Sequence, residues 1–339
     1  MSILPGMRRG DWGRRLTAVA LLALFGGTVA GCTAPSEADR SGSLPEVTAQ
    51  SPDQLAPRAL SPAGKLQVVA TTSLVGEPAT MIGGDLVDVT VLIPRGADPH
   101  EYQPAPRDAV SLAGADVILE AGFGYETFLA KLISGAGASV PVVALSEGIQ
   151  PLSIAGGAAT PGSGAVDPHV WLDPQNMVVW ARNTAATYAA LDPEHAADYQ
   201  ARAEAYMAEL GQLDTWAASQ LGGLPEGARN VATGHAVLGY LAQRYGLSIV
   251  GTIRPGASDL SEPSARELAD LEDRLQNQAV GAIFVGVFDN HTLADRVGTD
   301  TGIPVVPLYL ESLSRANGPA ATYDAFMRFN VAAIVEALK

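Results

Sequence analysis

A single cysteine, Cys32, stands in a chain of 339 residues. That excludes an intrachain disulfide and any metal site built on thiolates. Basic residues are also scarce, with 21 Lys and Arg against 36 Asp and Glu and a formal net charge of −15. A chain so acidic lacks the clustered Lys and Arg that neutralise phosphates, so nucleic-acid binding is excluded. Aromatics make up only 6% of the residues, while Ala and Gly abound. That balance suits helix-on-sheet layers better than a β-sandwich. The HExxH helix of zinc peptidases and the Gly-x-Ser-x-Gly elbow of esterases are both missing. Beyond the N-terminus no segment is apolar enough to span a bilayer.

The N-terminus itself reads as an address. Arg8, Arg9, Arg14 and Arg15 precede a short apolar run over 16–27, the layout of a secretory signal. The run ends in Val29-Ala30-Gly31-Cys32, which resembles the lipobox of bacterial lipoproteins. Residues 1–31 are therefore expected to be a signal peptide and Cys32 the site of lipid attachment. Residues 32–64, rich in Ser, Pro, Ala, Asp and Glu, are expected to be a disordered tether. With one Asp, those four Arg give the first 31 residues +3, which leaves −18 on the remainder. The field of so acidic a body attracts cations.

After the tether, short β-branched runs alternate with helical patterns, which predicts βαβ units and parallel sheets. Strands are predicted over 66–71, 87–93, 116–120 and 140–144, with helices over 105–114 and 124–135. The centre is helical, over 174–191 and 193–221, with Asp192-Pro193 at the break. The second of these helices, through Tyr199, Tyr206, Leu210 and Leu213, would run about 40 Å. Alternation then resumes, with strands over 229–233, 248–252, 280–285 and 303–308 and helices over 235–245, 262–277, 290–299 and 319–338. The expected fold is α/β: two lobes, each with a four-stranded, mostly parallel sheet flanked by helices, joined by one long backbone helix. The lobes are expected over 65–191 and 223–339, with the linking helix over 192–222.

Two of the five histidines share a local word, Asp98-Pro99-His100 and Asp167-Pro168-His169, each with an aromatic two residues on. Proline stiffens the approach to the imidazole, and the aspartate suits an acceptor that fixes a ring tautomer. His235 follows a predicted strand, as does Glu311, and the carboxyl ends of α/β strands are where ligands bind. Three imidazoles and one carboxylate form a donor set for Zn²⁺ first and Mn²⁺ second. His195 reads as a surface helix residue. His291 reads as a helix start, and Asp289 or His291 is the reserve fourth ligand should Glu311 lie elsewhere.

These words resemble the zinc/manganese-type substrate-binding lipoproteins of bacterial ABC metal importers. The resemblance covers about residues 66–339. It rests on Pro99-His100-Glu101-Tyr102-Gln103-Pro104, Asp167 to Pro174, Gly234-His235 with Gly239-Tyr240-Leu241, and Ser312-Leu313 followed by Gly318 to Tyr323. It implies metal held between two lobes by His100, His169, His235 and Glu311. It further implies an ABC permease as partner and a monomer held outside the cytoplasm by a lipid anchor on the bacterial cell membrane, with no enzymatic activity. Three features depart from the family pattern. Ala236 stands where an acid often follows the third ligand, Glu311 replaces the usual Asp, and the stretch 152–166 has no histidine-rich loop. A zinc hydrolase and a surface adhesin are the competing readings. Without the motifs above, hydrolysis has no nucleophile machinery, and the fourth ligand would fill the position a catalytic water needs. The tether and anchor would serve an adhesin equally well.

Overall fold

The computed structural model describes residues 48–60, 64–154, 166–258, 260 and 262–339. The expected signal peptide, Cys32 and residues 33–47 and 61–63 of the expected tether lie outside the described residues.

The N-terminal lobe is built on strands β1 (Leu66–Ala70), β2 (Val87–Val91), β3 (Val117–Glu120) and β4 (Val142–Ala144). They pair in the order β2-β1-β3-β4, all parallel, with Leu66 opposite Val87, Val68 opposite Val117 and Ile118 opposite Val142. Helices α1 (Ser73–Gly83), α2 (Pro106–Ala113), α3 (Leu129–Ala136) and α4 (Pro174–Leu191) accompany them. The linking helix α5 spans Ala196–Gly222 after a 3₁₀ turn over Pro193–His195. The C-terminal lobe carries strands β5 (Asn230–Thr233), β6 (Ser248–Thr252), β7 (Ala282–Gly286) and β8 (Val305–Leu308). Its helices are α6 (Gly239–Tyr245), α7 (Ala265–Asn277), α8 (Thr292–Thr301) and α9 (Tyr323–Ala337). Its parallel order, β6-β5-β7-β8, matches that of the first sheet, although the sequence carries no visible repeat. In both sheets the order reverses beside the first strand, which opens a crevice at its carboxyl end.

The linking helix buries Tyr199, Ala203, Tyr206, Leu210, Leu213, Ala217 and Leu221, a stripe at three- and four-residue spacing. Its 27 residues extend about 40 Å. It packs against α4 on one side and α9 on the other, so one continuous core runs through it into both lobes. Among the described residues no helix is long and apolar enough to cross a membrane.

Three expectations need correction. Helix α1 was not foreseen: its residues are buried on nearly every side, Pro78 interrupts it, and so no amphipathic period marks it. The helix predicted from 235 begins only at Gly239. The backbone ahead of it bonds instead to the neighbouring loop, from the Ala236 N–H to the Gly256 carbonyl and from the Arg254 N–H to the Gly234 carbonyl. Finally, residues 48–60 are not free tether. The Gln50 N–H donates to the carbonyl of Val142 on the edge strand at 2.7 Å, and the Arg58 N–H donates to the Leu191 carbonyl at 2.8 Å. Between them lies a 3₁₀ turn over Pro52–Gln54, closed by a Ser51–Gln54 capping box, with Leu55 and Leu60 packed on the core.

Candidate metal centre

His100 lies in the loop that leaves β2, in a turn where Asp98 Oδ1 accepts the His100 backbone N–H at 2.8 Å. His169 lies in the approach to α4. There Asp167 Oδ1 accepts both the His169 backbone N–H at 3.0 Å and its ring Nδ1–H at 2.8 Å. The aspartate therefore holds the Nδ1 proton, so that Nε2, once deprotonated, presents its lone pair to the cluster. Only this second Asp-Pro-His word uses its aspartate on the ring as the sequence suggested. The first uses it on the backbone. His235 stands two residues past β5, at the crevice of the second sheet, and Glu311 three residues past β8.

These four side chains converge. Glu311 Oε1 lies 3.0 Å from His100 Nε2, 3.2 Å from His169 Nε2 and 2.8 Å from His235 Nε2. One donor atom from each residue falls within 4.8 Å of all the others. A tetrahedral zinc with bonds of about 2.0–2.1 Å sets its donors about 3.3 Å apart. The carboxylate–imidazole separations are already close to that. His169 is fully buried, and its Nε2, out of line for a hydrogen bond to Glu311, has no hydrogen-bond partner. A buried nitrogen aimed at three other donors is what a cation would satisfy.

Aromatic rings wall the cluster. Tyr125 packs edge-on to His100 at 5.7 Å and to His169 at 5.9 Å, and Trp171 packs against His169 at 5.4 Å. Trp171 belongs to the motif read from the sequence. Tyr125, on the loop after β3, carried no signal in spacing or composition.

The electrostatics follow from burial and pairing. Burial disfavours the charged His169 ring, but the Asp167 and Glu311 carboxylates outweigh it and push its pKa up to about 9. His100 is raised in the same way, its burial outweighed by Glu311. Burial alone would raise Glu311, yet the surrounding imidazoles hold it well below the usual carboxylate range. The cluster thus retains protons that a divalent ion would have to displace.

The reserve ligands stand apart. Asp289 Oδ2 accepts the Gly286 N–H at 2.8 Å, and His291 Nε2 lies 2.7 Å from the Gly286 carbonyl, so both stabilise their own turn. His195 sits at the start of α5, partly exposed, with Nδ1 2.7 Å from Asp192 Oδ2.

Residues 68–337 match the family model described as zinc-uptake complex component A, periplasmic. The chain is 29% identical over 281 residues to the iron ABC transporter substrate-binding lipoprotein MtsA of Streptococcus pyogenes serotype M1, covering 81% of this chain and 89% of that protein. It is 28% identical over 274 residues to the manganese-binding lipoprotein MntA of Halalkalibacterium halodurans, covering 80% and 88%. Among solved structures, the Mn-bound periplasmic metal-binding protein of Candidatus Liberibacter asiaticus superposes with a TM-score of 0.73 at 25% identity. That match covers 81% of this chain and all of the other.

Proposed function

The chain belongs to the zinc-uptake complex component A family, the metal-binding substrate-binding proteins of ABC importers, and we propose that its own cargo is Zn²⁺, captured by His100, His169, His235 and Glu311. The observation that carries this reading is one carboxylate oxygen within 3.2 Å of three imidazole nitrogens in a buried pocket. Three nitrogens and one oxygen at near-tetrahedral separations favour zinc over metals that take more oxygen ligands. Mn²⁺ is the second reading. A bidentate Glu311 raises the coordination number, and MntA is named for manganese. The loaded protein hands the ion to an ABC permease. It does so as a monomer outside the cytoplasm, held to the membrane by a lipid on Cys32. The acidic body favours approach of the cation to the crevice.

Competitive titration of Zn²⁺ against Mn²⁺ with a chromogenic chelator tests the cargo. Zinc is expected to bind one per chain and at least about a hundredfold more tightly than manganese, following the affinity order for nitrogen donors. Equal affinities, or tighter manganese, would reject zinc. Changing Cys32→Ser should move the protein from the membrane fraction to the soluble fraction without altering its metal affinity.

A further inference from the structure

By sequence the loop that carries Glu311 belongs to the C-terminal lobe, yet the N-terminal lobe supplies its fastenings. Tyr309 is held from its own side: its N–H donates to Asn330 Oδ1 at 2.9 Å, and its carbonyl accepts from Asn330 Nδ2. From Leu310 onward the partners change. The Trp171 indole Nε1–H donates to the Leu310 carbonyl at 2.7 Å, one residue before Glu311. The Leu313 N–H donates to Ser73 Oγ at 3.0 Å, two residues after it. The Gly96 N–H donates to Ser312 Oγ at 3.0 Å and to the Leu313 carbonyl at 3.1 Å. At the end of the loop, the Tyr323 N–H donates to Glu77 Oε1 at 2.8 Å and its hydroxyl to the Trp171 carbonyl at 2.6 Å. The Arg95 guanidinium donates to the Ala321 carbonyl. Trp171 and Glu77 are both buried, so each bond they make is shielded from water, and losing one partner strands the other.

His235 is held differently. Its segment bonds within its own lobe, and its Nδ1 is buried without a hydrogen-bond partner, whereas His169 Nδ1 donates to Asp167. Ligand histidines usually donate that second nitrogen, which fixes the ring. The four donors therefore divide three to one rather than two to two.

We propose that Trp171 and Glu77 are positioning residues that fasten Glu311 to the N-terminal lobe, so that His100, His169 and Glu311 form one cradle and His235 is the donor that engages and releases the cargo. This rests on the metal-capture reading above. A carrier must hold its ion and also surrender it. A set divided three to one does both by making and breaking one bond, since a small displacement of the C-terminal lobe withdraws His235 and leaves three donors in place.

Co²⁺ is the probe, because its visible absorption reports ligand number and geometry. It is added to the full chain and to the variants Trp171→Phe, Glu77→Ala, Glu311→Gln, His235→Ala and His169→Ala, each checked for folding by circular dichroism. Trp171→Phe keeps an aromatic ring at the site and removes the donor along with part of the indole's packing, which the circular dichroism and melting controls register. His235→Ala should still bind one Co²⁺ per chain but release it to excess chelator at least about tenfold faster. Trp171→Phe and Glu77→Ala should each speed release about five- to tenfold and shift the Co²⁺ band in the direction that Glu311→Gln does. A merely structural role would lower the melting temperature and leave both band and release rate at wild-type values, which overturns the assignment. So does a His235→Ala variant that loses Co²⁺ as completely as His169→Ala. Failure of the wild-type chain to bind any divalent ion would instead reject the capture reading itself.

Discussion

His169 concentrates the chemistry of the site. Its ring is fully buried, its Nδ1 is committed to Asp167, and its Nε2 has no hydrogen-bond partner. Asp167→Asn should therefore weaken Zn²⁺ binding by about ten- to a hundredfold while leaving one site per chain, as loss of an outer-shell partner does elsewhere. Competition titration measures this, and unchanged affinity would mean that the aspartate serves only the turn. The pH dependence follows from the same ring. Ordinary histidine values place the loss of affinity below about pH 6. With His169 pushed up to about 9, the ring still holds a proton at neutrality. Zinc affinity should rise about tenfold per pH unit for each displaced proton as pH increases toward about 9, then level off. The raised pKa also stabilises the metal-free fold. That contribution is complete below about pH 6.5 and lost as pH rises through about 9, so zinc should raise the melting temperature more at about pH 8.5 than at about pH 6. Equal shifts at the two pH values would contradict this linkage.

Elements differ in how plainly the sequence announces them. The parallel strands, the linking helix and the placement of His235 and Glu311 at strand ends were legible, because β-branched runs and three- and four-residue stripes have distinct periods. Helix α1 was not, because burial on nearly all sides erases the stripe. Its glycines explain how it fits: a Cβ on Gly76 would lie 2.8 Å from Val91 Cγ2, and one on Gly83 would lie 2.7 Å from Val87 Cβ. Gly76→Ala should cost about 1–3 kcal/mol by overpacking, read as a lower urea midpoint, and a neutral result would mean that α1 can shift freely. The strap over 48–60 was hidden for a different reason. Its composition is that of a tether, and the packing of Leu55 and Leu60, two backbone bonds and the Ser51 hydroxyl's bond to Glu147 hold it down. The amides of Gln50 and Arg58 should show hydrogen-exchange protection well above that of free peptide. Exchange at the peptide rate would return this segment to the tether.

At the scale of the molecule, two sheets of the same strand order face their crevices toward one cluster, and one core runs through the linking helix into both lobes. The sequence pointed to the four side chains that converge, but no spacing in it discloses that the Glu311 loop is fastened across to the opposite lobe. That fastening depends on Trp171, Ser73, Glu77 and Gly96, residues far from that loop in the chain. The long helix and shared core favour a small closing movement over a wide hinge. A small movement suffices where only one donor must let go. The proposed cargo of this cluster is zinc. Elemental analysis of the chain purified without added metal, beside the His169→Ala variant, tests it most directly. About one zinc per wild-type chain and almost none in the variant is the expected result, because the variant leaves the cluster with three of its four donors. Iron or no metal in the wild-type chain, or equal zinc in both proteins, would contradict it.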